Sequence, residues 1–115
     1  MGSDVKMFVG TCMITLFIHG NRSLKGKRSV INRIKSRVKN TFNVSIAEVG
    51  DNDLYQKAAL GISAVSGDRV YLEGQLGKII NFIDGLTEAK IADAQTMIEL
   101  KGGDDHVFLQ TGRQG

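Results

Sequence analysis

The chain has 115 residues, 42% hydrophobic and 23% charged, with a formal net charge of +3. That is ordinary composition for one globular domain, able to bury roughly two-thirds of its unfolded surface without disulfides or a structural metal. A single cysteine excludes an internal disulfide framework and a zinc site of paired cysteines, and no apolar run approaches the about 18 residues of a membrane span.

MGSDVK leads straight into Met7–Ile18 with no small-residue cleavage site, so a reducing cytoplasm is the expected compartment and no membrane partner is expected. Met7–His19 reads as a strand. Phe8, Gly10, Cys12, Ile14, Leu16 and Ile18 fall on one face; Met7, Val9, Thr11, Met13, Thr15 and Phe17 fall on the other. Two apolar faces mark a central strand. Gly20-Asn21 breaks it, and Ser23 is placed to cap the next helix, because its hydroxyl can accept from free amides of the first turn. Leu24–Asn40 has helical spacing, with Leu24, Ile31, Ile34, Val38 and Phe42 as the expected buried stripe.

Asn43–Val49 reads as a short strand with Val44 and Ile46 on one face, and Gly50–Asp53 is turn chemistry. Lys57–Ser66 alternates as a third strand. Asp68 is the expected cap of a second helix running to about Leu86, with Leu72, Leu76, Ile79 and Ile83 inward and Gly85 as its stop. Ile91–Leu100 is the last strand, made polar on one face by Asp93 and Gln95. Residues 1–100 form the domain; residues 101–115 are a polar tail, expected to be mobile.

The order βαββαβ is the ferredoxin-like plan: an α+β sandwich, antiparallel sheet order 4-1-3-2, both helices on one face. The plan leaves the second sheet face open. A face carrying Val9, Met13 and Phe17 should not stay wet in a monomer, so self-association is expected, as a dimer through that face or by edge pairing.

Charge is unevenly placed. Residues 1–57 hold 10 basic and 4 acidic groups; residues 58–115 hold 5 and 8. Arg22, Lys25, Lys27, Arg28, Arg33, Lys35, Arg37 and Lys39 crowd one stretch with no acid among them. The block reads either as an anion-facing surface, nucleic acid being the commonest partner, or as a solvated helix face. Its sharpest part is RSLKGKR, Arg22 to Arg28, where a strand ends and a helix begins. Free amides and the positive helix pole already favour an anion there, and acids are preferred in a first turn. Four cations and Gly26 at that place imply a counter-charge: a phosphate, a nucleic-acid backbone or a carboxylate.

The fold supplies one candidate from within. Glu48, Asp51 and Asp53, in the hairpin between strands two and three, lie at the same end of the sheet as that helix start. Their spacing matches no EF-hand loop, and neither a metal nor a cofactor is expected. On the helical wheel Arg28, Lys35 and Lys39 share a flank, while Arg33 and Arg37 lie outward; such breadth suits sequence-independent phosphate contacts. Base stacking on the sheet is not expected, because Ala58–Ser66 has no aromatic and the first strand offers only Phe8 and Phe17. Cys12 reads as inert core. His19 and His106 are isolated. Asn21 and Arg22 supply residue types that an acylphosphatase-like site needs, but no nucleophile-positioning motif accompanies them.

The runs Ile14–Arg28 (G-x-RSLK-x-KR) and Phe42–Gly61 (FNVSIAEVGD-x-D-L-Y-Q-K-A-x-LG) resemble the YlxP-like family of small bacterial proteins. A weaker match continues through Ser66–Arg69 and Ile79–Ile83, so the resemblance spans about residues 7–100. It implies a ferredoxin-like fold and no established activity. Frequent encoding of such proteins beside translation initiation factor two and a ribosome-binding factor implies a link to ribosome or RNA work. The family motif falls on Arg22, Ser23, Leu24, Lys25, Lys27 and Arg28, then Glu48, Val49, Gly50, Asp51 and Asp53. This chain departs from it at His19, where proline is usual, at Gly26, where an acid is common, and at the more apolar Met13 and Phe17.

The resulting expectation is a non-enzymatic factor that binds RNA or a ribonucleoprotein through its first helix. The rival readings are an oligomeric protein-interaction module using the open sheet face, and a phosphate-chemistry enzyme at Arg22–Arg28 with Glu48 and Asp51. The sequence names no small-molecule substrate.

Overall fold

The computed structural model describes residues 5–51 and 53–102. Its elements run β1 (Met7–Phe17), α1 (Leu24–Thr41), β2 (Ser45–Gly50), β3 (Lys57–Ser66), α2 (Arg69–Asp84) and β4 (Lys90–Lys101). The strands form one sheet in the order β2-β3-β1-β4, every neighbour antiparallel. This is the expected ferredoxin-like plan. β4 takes in Lys101, which the sequence reading gave to the tail; the tail beyond Gly102, with His106, lies outside the described residues.

Side-chain caps set both helix starts. Ser23 Oγ accepts from the Gly26 amide at 3.0 Å, and Asp68 Oδ1 accepts from the Tyr71 amide at 3.1 Å. Gly85 ends α2 with right-handed backbone (φ −81°), so its lack of a side chain is not what stops the helix. α1 packs on β2 and α2 on β1, β3 and β4, with the two helices in contact. Phe42, just past α1, meets Phe82 of α2 edge to face, with ring centroids 5.5 Å apart.

The core lies between sheet and helices. Cys12, Ile14, Leu16 and Ile18 of the first strand region meet Ala58, Leu60 and Ile62 of β3 beneath Ile31, Ile34 and Val38 of α1 and Leu76, Ile79 and Ile83 of α2. One expectation changes. Leu24, the first residue of the helix, is exposed although it is in phase with the stripe, and the buried run begins one turn later with Lys27. No helix among the described residues is long and apolar enough to cross a membrane.

Gly10 marks where α2 crosses β1. A Cβ there would stand 2.9 Å from Leu76 Cδ1 and 3.1 Å from Leu72 Cγ. The missing side chain lets the helix approach the strand. Gly10→Val should therefore cost about 1–3 kcal/mol through overpacking. A thermal melt read by circular dichroism should fall by about 4–8 °C per kcal/mol lost; an unchanged melt would mean that Leu72 and Leu76 yield freely.

Candidate functional site

The start of α1 and the β2–β3 hairpin are joined by the side chains of Lys27 and Asn21. Lys27 follows helical phase into the stripe 27, 31, 34, 38 and is only 3% exposed. Its Nζ donates to the carbonyls of Asp51 (2.6 Å), Leu54 (2.6 Å) and Lys57 (2.9 Å). Glu48 Oε2 lies 3.0 Å from the same nitrogen. An ammonium has three protons, and the three carbonyls take them. The fourth oxygen is held by charge alone, which is why Glu48 Oε2 is buried without a hydrogen bond.

Local backbone aims these oxygens. The β2–β3 register slips between Glu48 and Gly50, and Asp51 then adopts a left-handed conformation (φ 61°) that aspartate tolerates better than most residues. The Asp51 carbonyl accepts from both the Leu54 amide (3.1 Å) and Lys27. Four successive carbonyls of the hairpin thus point inward: Leu54 and Lys57 to Lys27, Tyr55 to Asn21 Nδ2, and Gln56 to the Ile18 amide. Asn21 Nδ2 also donates to the Ser23 carbonyl at 2.9 Å, tying the hairpin to the helix cap. Gly26 lies beside it, and a Cβ there would press on Asn21 Oδ1, so in this chain the glycine leaves room for the Asn21 side chain.

Lys27 therefore leaves the set of cations that face outward: it is an internal counter-ion to the hairpin. Glu48 is its ionic partner, Asp51 contributes a backbone oxygen, and Asp53 is exposed. Asn21 is taken up in holding the hairpin, so its amide is not free to position a substrate phosphate. Among the described residues no three acids, histidines or cysteines are grouped to hold a metal.

The other cations of the block stand apart from this clamp. Arg22, Lys25, Arg28, Arg37 and Lys39 are exposed and Lys35 is half-buried. None of these six has an acidic partner among the described residues; Arg33 alone reaches one, Glu88 Oε2 at 3.1 Å. Glu88 follows α2, so Arg33 faces the second helix, and the phase of Arg28, Lys35 and Lys39 puts them on the opposite flank, over the β2 edge.

Among the described residues nothing covers the face of the sheet away from the helices. Met13 is 56% exposed, between Gly61 and Gln95 in register, with Met97 and Val65 also open. Val9 is half-buried between Val65 and Glu99; Phe17, at the strand end, lies between Lys57 and Lys90. Cys12 is buried on the other face, which pushes its thiol pKa up. His19 is exposed and rests edge to face on Phe17 at 5.1 Å.

One signal in the sequence pointed to the clamp. A lysine spaced 4, 7 and 11 residues before Ile31, Ile34 and Val38 lies on the apolar face of the helix, and Glu48 alternates in phase with Ile46. The roles of Asn21 and the hairpin carbonyls had no such signal.

A family of proteins of unknown function, DUF503, matches residues 9–96, which takes in the clamp, the hairpin and the basic helix. The chain belongs to this family. It is 44% identical over 80 residues to the uncharacterized protein YlxP of Bacillus subtilis (strain 168), a match covering 70% of this chain and 87% of that one. Among solved structures it is similar in fold to the de novo designed protein Foldit4 (16% identity, TM-score 0.48, 84% of this chain and 97% of that one). It is also similar to 30S ribosomal protein S6 of Thermotoga maritima (12% identity, TM-score 0.44, 96% and 97%).

Proposed function

We propose that this DUF503 chain is a non-enzymatic factor that binds RNA or a ribonucleoprotein through phosphate contacts of its first helix. The observation that supports this is the row of helix and loop cations left without acidic partners among the described residues, while Lys27 and Arg33 have theirs. α1 has no acid in its first turn, and Lys35–Lys39 is a like-charge pair one turn apart, neither member having an acidic partner among the described residues. Such a pair costs an isolated helix about 0.2–0.5 kcal/mol, which a polyanion on the same face relieves. The contacts expected are with phosphates rather than base edges, because the cations spread over a wide face.

The deciding experiment is an anisotropy titration with labelled RNA across a salt series, on the wild type and on Arg28→Glu/Lys35→Glu. Steep salt dependence that flattens in the variant supports the reading; absence of binding at low salt refutes it.

A second reading rests on the uncovered sheet face. Met13, Val65, Met97 and Phe17 form an exposed apolar surface of the kind that self-associates. A homodimer through Val9, Met13 and Phe17 should show twice the monomer mass by light scattering at tens of micromolar and revert to monomer in Met13→Glu. A wild-type monomer at that concentration counts against it.

A further inference from the structure

The hairpin that Lys27 fixes presents its apolar side chains to solvent. Leu54 and Tyr55 are 48% and 46% exposed, although their backbone carbonyls are held by Lys27 and Asn21. Every carbonyl from residue 54 to 57 is engaged inward. Together with Phe17, Asp53, Gln56 and Lys57 they line a cleft of about 410 Å³, within the range of roughly 300–1,000 Å³ that takes small ligands. The backbone of the cleft wall is thus preorganised.

Its charge narrows the ligand. Phe17 is flanked in register by Lys57 of β3 and Lys90 of β4, both exposed and both without an acidic partner among the described residues. Arg22 follows Asn21, which holds the Tyr55 carbonyl, so the cleft opens beside the basic start of α1. An apolar peptide has no use for these cations. A second copy meeting this end with its own would set lysine against lysine. A planar base that carries a phosphate satisfies both the aromatic walls and the lysines.

Building on the RNA-binding reading, we propose that this cleft holds one unpaired nucleotide of a single-stranded RNA. Its base would lie against Phe17 and Tyr55, its phosphates toward Lys57 and Lys90, and the Asp53 carboxylate and the Gln56 side-chain oxygen, whose amide nitrogen donates to the Asn21 carbonyl at 3.4 Å, would be at hand for the base edge. The sheet strands alone lack the aromatics for stacking; the second ring comes from the hairpin. A duplex keeps its base faces covered, so the site selects single strands.

The test compares fluorescein-labelled single-stranded oligouridylate of about ten nucleotides with a labelled RNA duplex of the same length. Tyr55→Ala should weaken single-strand binding by about tenfold to a hundredfold and leave duplex binding unchanged, Phe17→Ala should do the same, and Tyr55→Phe should bind as the wild type. Folded Tyr55→Ala protein that binds the single strand normally, while Arg28→Glu/Lys35→Glu still weakens it, overturns the cleft and leaves the helix reading standing. An equal loss on both probes also overturns it. A wild type that binds neither probe at low salt overturns both.

Discussion

Lys27→Met is expected to lower the unfolding free energy by about 3–5 kcal/mol, the usual cost of removing one member of a buried ion pair. The methionine fills similar volume, so the loss is electrostatic rather than a cavity. Three carbonyls lose their donor, and the buried Glu48 oxygen loses the one salt-bridge partner it has among the described residues. Against a typical domain stability of about 5–15 kcal/mol this is a large fraction. With a urea slope of about 1–3 kcal/mol per M, the unfolding midpoint should fall by more than about 1 M. Adding Glu48→Gln should restore part of the loss, because it removes the stranded charge but not the stranded carbonyls. Lys27→Arg should not substitute, since a flat guanidinium cannot direct its donors at three carbonyls gathered round one point. A midpoint for Lys27→Met within a few tenths of a molar of wild type would show that the hairpin satisfies its oxygens without the clamp. The clamp also orders the cleft, so hydrogen exchange in 53–57 should speed up in the same variant.

Arg28→Glu/Lys35→Glu should weaken RNA binding by about 25–60-fold at 0.1 M salt. Each phosphate contact contributes about 0.7–0.9 to the salt slope, or about five- to eightfold at 0.1 M relative to 1 M, and two contacts are removed. The slope itself should drop by about 1.4–1.8, and the repulsion of two new carboxylates deepens the loss at low salt. Lys25→Glu is a useful companion because its two effects have opposite signs. It places an acid in the first turn of α1, which should raise stability by about 0.3–1 kcal/mol, and it removes one phosphate contact. Loss of binding together with a gain in stability separates function from folding. Unchanged affinity and slope in the double variant would leave α1 as a solvated face and shift weight to the open sheet surface.

The charge of α1 therefore has two unlike parts, and the sequence showed them as one. Read by composition, Arg22 to Lys39 is a single acid-free block. Read by helical phase, Lys27 is set apart from Arg28, since one step of about 100° separates the buried face from the exposed flank. The phase was there to be read; what it implied depended on a hairpin about two dozen residues further on.

The sequence determined the element order, the central place of β1, the inner face of α2 and both helix caps, because periodicity and capping are local and repeat along the chain. Tertiary structure alone decided which oxygens surround Lys27, that Asn21 ties Tyr55 to the start of α1, and that Phe17 and Tyr55 border one cleft. Those contacts depend on the bulge near Glu48 and the left-handed turn at Asp51. Such backbone adjustments leave little trace in a residue pattern, because their energy is recovered only when the distant partners meet.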